Sequence, residues 1–256
     1  MRPFGKTRPL LCLAFIPVLS AASDQSLSLN LRGKTLSVAR LQPSTAVSNT
    51  AVIFLPGDGG WRGAAISMAK TIASWGYDVY GFDTKRYLEA FSEDGPKLSQ
   101  DQMATDMKVL SEQVNSAAKK PVLLVGWSQG AGMAVLAASH KPSQTLIRGV
   151  LTLGLPRSAV LGWDWKATMA TVARREPDQP TFSVKPLLAN MAPTPICMIY
   201  GSQDEYTNPE NARDLFKAAS EPKRLRQVTG ANHRFDGHQD ELYRLLKEGL
   251  EWIAGA

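Results

Sequence analysis

Short apolar runs alternate with amphipathic stretches along this chain, and this pattern predicts an α/β fold. Continuous apolar runs are typical of strands that are buried on both faces of a parallel sheet. Apolar residues spaced three or four positions apart indicate helices that bury one face. The predicted strands cover residues 51–55, 78–82, 121–125, 150–155, 196–200 and 225–228. The predicted helices cover residues 64–75, 99–118, 131–139, 209–218 and 241–253.

Two further segments complete the predicted domain. Residues 26–41 alternate around Gly33 and predict an N-terminal hairpin. Residues 156–193 have an irregular pattern and contain several prolines, and a structureless connection of that length is typical of a lid or binding loop. We therefore expect one domain over residues 23–256, with a mostly parallel central sheet, helices on both faces and a lid insertion at about 156–193.

The first 22 residues predict a secretory signal peptide. Basic residues precede an apolar run at 10–19, and small residues follow it at 20–22. This order of charged, apolar and small residues is that of a cleaved signal. The apolar run is shorter than the roughly 20 residues that a membrane-spanning helix needs. We expect cleavage near Ala22 and export to the periplasm.

Charge and cysteine content narrow the function classes. The chain has 29 Lys and Arg against 23 Asp and Glu, a formal net charge of +6. Loss of Arg2, Lys6 and Arg8 with the signal would leave 26 basic residues and a net charge of +3. No Lys- or Arg-rich run remains, so no nucleic-acid partner is expected. Cys12 and Cys197 form no Cys/His cluster, and nucleotide-binding fingerprints are absent, so neither a metal nor a cofactor is expected.

Residues 126–130 read Gly-Trp-Ser-Gln-Gly, a G-x-S-x-G motif. The motif follows the most apolar predicted strand and precedes a helix of small residues. This context predicts a nucleophile elbow, the sharp strand-to-helix turn that exposes the serine of an α/β hydrolase. Ser128 is therefore the predicted nucleophile. The start of the helix behind Ser128 favours negative charge that develops during the reaction.

A serine nucleophile needs a base, and the chain has three histidines. His140 lies 12 residues after Ser128 on the same predicted helix. At the helical rise this is roughly 18 Å, which is too far for proton transfer. His233 follows the last predicted strand, where the base of an α/β hydrolase belongs. His233 is the predicted base, and His238 is the alternative.

The base in turn needs a carboxylate that orients it. Asp204 follows an apolar strand, and the order Ser128, Asp204, His233 is the chain order of α/β-hydrolase triads. Asp204 is the predicted acid. Its neighbour Glu205 and the more distant Asp83 are the alternatives.

The oxyanion that forms during acyl transfer needs two backbone N–H donors. The residue after the nucleophile, Gln129, supplies the first predicted donor. The second is predicted at Asp58, in the glycine-rich loop after the strand at 51–55. Glycines in that loop let the backbone come close to a substrate carbonyl.

Three segments make the chain resemble the VirJ/AcvB family of exported bacterial α/β hydrolases. They are LPGDGGWR at 55–62, GWSQGAG at 126–132 and HRFDG at 233–237. The family pattern runs close to GDGGW, GYSxGAD and HHFDG, and the resemblance covers residues 51–256. The first histidine of the family's pair falls on His233. This chain departs from the pattern at Trp127, Gly132 and Arg234.

The resemblance implies the α/β-hydrolase fold and hydrolysis of aminoacylated phosphatidylglycerol, lysyl or alanyl, at the outer face of the inner membrane. It also implies a link to virulence and type IV secretion. The expected partners are then a phospholipid ester, the membrane surface and secretion-system proteins. A general serine esterase and a periplasmic adaptor without turnover are the alternatives.

Several residues are candidates for contacts with such a substrate. Asp58, Glu205 and the acidic stretch at 89–94 offer a counter-charge to an ammonium group. The candidate substrate-binding residues are Trp61, Trp127 and Trp163. Trp163 and Trp165 of the insertion are expected either to cover the pocket or to rest at a lipid interface, near basic residues that meet anionic headgroups.

Overall fold

A computed structural model of the protein describes residues 25–92, 98–164, 166, 169 and 179–255. The predicted signal peptide, residues 93 and 94 of the acidic stretch, and residues 165, 167–168 and 170–178 of the predicted insertion lie outside the described residues. The strands are β1 (Gln25–Leu31), β2 (Lys34–Leu41), β3 (Ala51–Leu55), β4 (Asp78–Phe82), β5 (Val122–Trp127), β6 (Ile147–Leu153), β7 (Ser158–Val160), β8 (Thr181–Ser183), β9 (Ile196–Gly201) and β10 (Lys223–Val228). The helices are α1 (Ala64–Ser74), α2 (Thr84–Ala90), α3 (Gln100–Ala118), α4 (Gln129–Ser139), a 3₁₀ turn (Lys141–Ser143), α5 (Lys185–Leu188), α6 (Pro209–Ala218) and α7 (Gln239–Gly255).

Eight of the described strands form one sheet in the order β1-β2-β4-β3-β5-β6-β9-β10. β2 runs antiparallel to β1 and β4, and the other neighbours in this sheet are parallel. The carboxyl ends of the parallel strands therefore lie along one edge of the sheet. Ligands of open α/β sheets bind beyond this edge. The loops that follow β3, β5, β6, β9 and β10 meet there.

The central strand β3 divides the core into two layers. Ile53 and Leu55 point into the apolar layer that contains α3 and α4, and Val52 and Phe54 point into the layer that contains α1 and α7. Successive side chains of a strand face opposite sides of the sheet, so a run that is apolar throughout must be covered on both faces. The predicted arrangement of helices on both faces is confirmed.

The predicted elements match the observed ones to within a few residues, with two informative differences. The sequence places Ser99 three residues before Gln102, which predicts a capping box. The capping box is confirmed at the start of α3, where the side chain of each residue accepts from the backbone N–H of the other. The helix α2 was not predicted, because it is short and begins at an Asp83 cap directly after β4. β6 ends at Leu153, two residues before the predicted end, and Gly154 then turns with a φ of +55°.

The described part of the insertion corrects the prediction that residues 156–193 are irregular throughout. β7 and β8 pair with each other, and the single-turn helix α5 follows them. β7 is held against α4, where the Gln129 side chain donates to the Val160 carbonyl and accepts from the Val160 N–H, both at 2.9 Å. Strands of three residues are too short to produce a recognisable period in the sequence.

A buried polar cluster fastens the N-terminal hairpin to two helices. Arg32, in the β1–β2 turn, donates two hydrogen bonds to Asp106 on α3, at 3.2 and 2.8 Å. Tyr87 on α2 donates to the same carboxylate at 2.8 Å. Burial raises the pKa of Tyr87 well above its ordinary value, so the hydroxyl stays protonated and remains a donor. The Arg32 guanidinium also lies 3.8 Å from the centroid of the Phe91 ring.

We expect Cys197 to be unreactive in the folded protein. It lies on β9 under α7, and burial raises the pKa of its thiol to about 11. At pH 8 only about one thiol in a thousand would be ionised, and the thiolate is the reactive form. Ellman's reagent should therefore fail to react with the mature chain at pH 8 and should titrate one thiol after denaturation in guanidinium. Native-state reaction at the rate of a free thiol, absent in Cys197→Ser, would contradict the expectation.

Candidate active site

Ser128 sits in a strained turn between β5 and α4. Its backbone has φ +53° and ψ −119°, a conformation that a residue with a side chain rarely adopts. Its N–H donates to the Leu153 carbonyl at 2.9 Å, which ties the turn to the neighbouring strand β6. Strain of this kind is maintained by the surrounding structure, and it places the serine above the carboxyl edge of the sheet.

The two glycines of the motif are needed for this turn because other backbone segments pass close to them. A β-carbon on Gly126 would lie 2.5 Å from the Cα of Ala131. A β-carbon on Gly130 would overlap the carbonyl oxygen of Leu55 at the end of β3. Any side chain at either position would push α4 away from β3 and β5.

His233 and Asp204 form a buried pair beside this turn. The Nδ1 of His233 lies 2.9 Å from Oδ2 of Asp204, and the two residues are 8% and 3% exposed. The other oxygen of Asp204 accepts from the N–H groups of Tyr206 and Thr207, at 2.8 and 2.7 Å. Every oxygen of this carboxylate is therefore partnered, and the imidazole is held with Nε2 free for a second partner.

The alternative residues for the triad have other partners. The carboxylate of Glu205 accepts from the backbone N–H of His233 at 3.0 Å, so it fixes the histidine loop without touching the imidazole. His238 Nδ1 lies 2.9 Å from the Asp236 carbonyl. Asp83 accepts from the Arg86 N–H as the cap of α2, and His140 pairs with Ser143.

The loop that carries His233 is shaped by the residues of the HRFDG segment and its neighbours. Asn232 accepts from the N–H groups of Arg234 and Asp236, both at 3.1 Å. Phe235 adopts a φ of +58° and is fully buried, which anchors the loop in the core. The indole N–H of Trp127 donates to the His233 carbonyl at 3.3 Å. The residue before Ser128 thereby helps to position His233.

Ser128 and His233 open onto one cavity of about 380 Å³. Its lining consists of Pro56, Gly57, Asp58, Gly59, Gly60, Arg62, Gly63, Ala64, Ala65, Trp127, Ser128, His233 and Arg234. Within the described part of the chain the Ser128 hydroxyl makes no hydrogen bond, a common state of a serine–histidine pair before substrate binds. In the same ranges, no group of three or more His, Cys, Asp or Glu side chains is placed to hold a metal ion.

The predicted oxyanion donors flank this cavity. Thr84 donates to the carbonyls of Pro56 and Gly57, at 2.7 and 3.2 Å, and so holds the loop after β3 beside Ser128. A β-carbon on Gly57 would lie 3.2 Å from the Cβ of Ser128. Among the described residues, neither the N–H of Asp58 nor that of Gln129 has an acceptor. Two unengaged donors near Ser128 are what an oxyanion requires.

The three predicted substrate-binding tryptophans occupy different environments. Trp127 lines the cavity. Trp61 lies outside the lining, because its ring packs over Gly81 of β4 and meets the Phe54 ring edge-on at 6.1 Å. Trp163 is 4% exposed and belongs to the core, and its backbone N–H donates to the Ser92 hydroxyl. The structure thus corrects the expectation that Trp163 covers the pocket or meets lipid.

A family model for bacterial virulence protein VirJ matches residues 49–252 of this chain. The chain belongs to the VirJ family. The match runs from β3 into α7, which it covers up to residue 252, and it includes Ser128, Asp204 and His233. A search of curated proteins found no match.

Solved structures place this VirJ-family chain in the α/β-hydrolase fold. An esterase domain of a Rhodothermus marinus protein is 19% identical, with a TM-score of 0.63 over 90% of this chain and 97% of its own. A dienelactone hydrolase from Anabaena variabilis is 17% identical, with a TM-score of 0.63 over 89% and 96% of the two chains. Est1E from Butyrivibrio proteoclasticus is 15% identical, with a TM-score of 0.64 over 90% and 99%. These likenesses confirm the predicted fold.

Gly132 is the departure from the VirJ/AcvB pattern that the structure explains. A β-carbon at this position would lie 2.5 Å from the Cβ of Ala159 on β7. The aspartate that the pattern predicts there has no room, because the insertion of this VirJ-family chain packs on α4 at that point.

Gly154 is a residue of the site that sequence reasoning missed. It follows β6, and a β-carbon on it would lie 2.8 Å from Cε1 of His233 and 3.2 Å from Oδ2 of Asp204. The Gly-Leu-Pro segment at 154–156 indicates that the strand ends there, but the predicted strand extended to residue 155 and so included Gly154. Gly154 leaves the space in which the His–Asp pair of this VirJ-family protein lies.

We expect Gly154→Ala to lower kcat about 100-fold or more. The new methyl group would displace His233 or Asp204, and displacements near 1 Å cost about that much in rate. Initial rates of ester cleavage by the purified variant measure the effect.

Gly33→Ala is the matched control for this change. Gly33 also has a positive φ, +82°, but a β-carbon there meets nothing within 4 Å. Both alanines carry a backbone penalty of about 1–2 kcal/mol. Only Gly154→Ala should lose activity. A wild-type kcat in a folded Gly154→Ala protein would contradict the role of Gly154 in making room for His233 and Asp204.

Proposed function

We propose that this protein is a serine hydrolase that cleaves carboxylic esters. The observation that carries the proposal is the buried Asp204–His233 pair, 2.9 Å apart, on the same cavity as Ser128 in its strained turn. A histidine held by a carboxylate next to a serine is the arrangement that activates a hydroxyl for acyl transfer. The esterase and dienelactone hydrolase named among the structural neighbours are compatible with this chemistry.

The proposed reaction proceeds through an acyl-enzyme. Ser128 Oγ attacks the ester carbonyl carbon while its proton moves to Nε2 of His233. The tetrahedral intermediate collapses, the ester C–O bond breaks, and His233 returns the proton to the leaving alcohol. Water then attacks the acyl-enzyme with His233 as base, which releases the acid and restores Ser128.

Two groups of residues support the charged states of this reaction. Asp204 holds the imidazole and stabilises its protonated form. The N–H groups of Asp58 and Gln129 are the proposed oxyanion donors. Donors of this kind are worth about 100- to 1,000-fold in turnover in other enzymes.

We propose an aminoacyl ester of phosphatidylglycerol as the substrate. The resemblance to the VirJ/AcvB family implies it, and the cavity offers one supporting feature. Asp58 is the carboxylate on the cavity lining, and its exposed side chain is available to an ammonium group next to the scissile carbonyl. Glu205, the other candidate counter-charge close to the site, already binds the His233 N–H.

The proposed location is the periplasmic face of the inner membrane. The N-terminal signal pattern supports export, and the phospholipid substrate supports peripheral contact with the membrane. None of the described helices is both long and apolar enough to cross a bilayer. Contact with secretion-system proteins stays a prediction.

Asp58→Asn tests the aminoacyl preference. The variant keeps the backbone N–H and loses the charge, so we expect kcat/KM for an alanyl ester to fall about fivefold, or about 1 kcal/mol, for a partly exposed charge pair. The matched propionyl ester of the same alcohol lacks the amine, and its kcat/KM should change less.

Glu89→Gln is the control, because the structure places this member of the acidic stretch 89–94 on α2, outside the cavity lining. An equal change for both esters in Asp58→Asn would argue for a general carboxylesterase. A wild-type preference for the propionyl ester would do the same.

A further inference from the structure

The cavity beside Ser128 carries two arginines that the proposed reaction does not use. Arg62 comes from the loop after β3, and Arg234 comes from the loop after β10. Both residues are exposed and line the same cavity as Ser128 and His233. Two separate loops therefore bring positive charge to the mouth of the site.

Neither guanidinium is neutralised within the described residues, where no carboxylate lies within 4 Å of Arg62 or Arg234. Four other described arginines each pair with a carboxylate: Arg32 with Asp106, Arg40 with Asp78, Arg157 with Asp214 and Arg244 with Glu248. The acid nearest to Arg234 in sequence, Asp236, accepts from the Asn232 side chain. The two cavity arginines are thus free to bind an anion.

The surroundings of the arginines also favour negative charge. The first turn of α1, at Ala64 and Ala65, opens onto the cavity and contains no acidic residue. The start of a helix carries a partial positive charge, which adds to that of the arginines. Asp58 is the acidic side chain on the lining, and the proposed function assigns it to the substrate ammonium.

We propose that Arg62 and Arg234 form an anion subsite that binds a phosphate group on the alcohol side of the ester. The inference rests on the proposed hydrolase function and deepens it. A guanidinium fork matches phosphate oxygens in a bidentate geometry. The cavity then recognises a substrate with opposite charges on the two sides of the scissile bond, an ammonium on the acyl part and a phosphate on the alcohol part.

A pair of water-soluble esters tests the subsite. Alanylglycerol and alanylglycerol 3-phosphate share the acyl group and the scissile bond and differ only in the phosphate. We expect the wild type to prefer the phosphate ester at least 10-fold in kcat/KM, since charge-assisted hydrogen bonds contribute about that much or more. In Arg62→Gln and Arg234→Gln the ratio of the two kcat/KM values should fall about 10-fold, mainly through KM. Lysine at either position should restore part of the ratio.

Arg213→Gln is the matched control, because Arg213 is exposed on α6 outside the cavity lining, and it should leave the ratio unchanged. A second experiment measures kcat/KM for alanyl-phosphatidylglycerol in vesicles. A further gain in kcat/KM over the soluble phosphate ester would assign the anion to a lipid headgroup, and no gain would assign it to a soluble phosphate.

Two results would overturn the subsite: equal cleavage of the two soluble esters by the wild type, or an unchanged ratio in both arginine variants. A third measurement separates this failure from failure of the hydrolase. Fluorophosphonate labelling of Ser128 should be slowed by glycerol 3-phosphate and not by glycerol. Labelling without such protection would support the hydrolase proposal and contradict the subsite proposal. A wild type that neither labels nor cleaves would contradict both.

Discussion

Ser128→Ala is expected to lower ester turnover by on the order of 10⁴- to 10⁶-fold, as removal of the nucleophile does in other triad enzymes. The serine supplies the attacking oxygen, and no group in the described cavity replaces it. The fold should remain intact, because alanine removes one partly buried hydroxyl that makes no hydrogen bond among the described residues. Initial rates with a p-nitrophenyl ester, beside circular dichroism spectra, measure both statements.

Fluorophosphonate labelling gives the same test without a choice of substrate. The wild type should label, and both Ser128→Ala and His233→Ala should not, because the probe requires an activated serine. Ser139→Ala, at the far end of the helix that follows Ser128 and outside the cavity lining, is the control that should label normally. Wild-type cleavage by pure Ser128→Ala, or a well-folded wild type that fails to label in the presence of anionic lipid, would refute the triad.

Asp106→Ala is expected to destabilise the protein by about 3 kcal/mol. The substitution leaves the Arg32 guanidinium and the buried Tyr87 hydroxyl without their shared acceptor. Removal of one partner from a buried ion pair costs about 3–5 kcal/mol, and the partial exposure of Arg32 favours the lower end. The midpoint of urea denaturation, with the m-value checked for constancy, measures the change.

Glu112→Ala provides the comparison for this variant. Glu112 lies on the same helix α3, but its ion pair with Lys108 is exposed, so its loss should cost only about 0.3–0.5 kcal/mol. Tyr87→Phe, alone and combined with Asp106→Ala, completes a double-mutant cycle that isolates the Tyr87–Asp106 hydrogen bond. Equal destabilisation by Asp106→Ala and Glu112→Ala would show that the buried cluster does not hold the hairpin.

The features that the sequence predicted correctly depend on contacts between near neighbours in the chain. Short apolar runs predicted β3 and β4 with their observed bounds. The Ser99–Gln102 capping box was predicted for the same reason, because its two partners lie three residues apart. The G-x-S-x-G motif predicted the turn at Ser128, since the strand before it and the helix after it are both visible in the local pattern.

The features that sequence reasoning missed or misplaced depend on contacts between residues far apart in the chain. Trp163 was predicted to be a lid residue because its segment is irregular. It packs into the core instead, and its backbone N–H donates to the hydroxyl of Ser92, 71 positions earlier. The predicted strand included Gly154, because nothing in the local sequence shows why a glycine is needed there. The reason is the imidazole of His233, 79 positions later, which occupies the space that a side chain at Gly154 would fill. Glu205 looked interchangeable with Asp204, and only the hydrogen bonds to His233 separate the two.

Local periodicity and motif spacing were enough to predict the α/β-hydrolase fold class, Ser128 as the candidate nucleophile and the chain order of the triad candidates. The three-dimensional arrangement was needed to show which carboxylate meets the imidazole, which tryptophan lines the cavity, and that Arg62 and Arg234 line the same cavity as Ser128. These outcomes follow from the parallel sheet, which gathers the loops after β3, β5, β6, β9 and β10 at one edge. Burial and hydrogen bonding at that edge then select among residues that look equivalent in the linear chain.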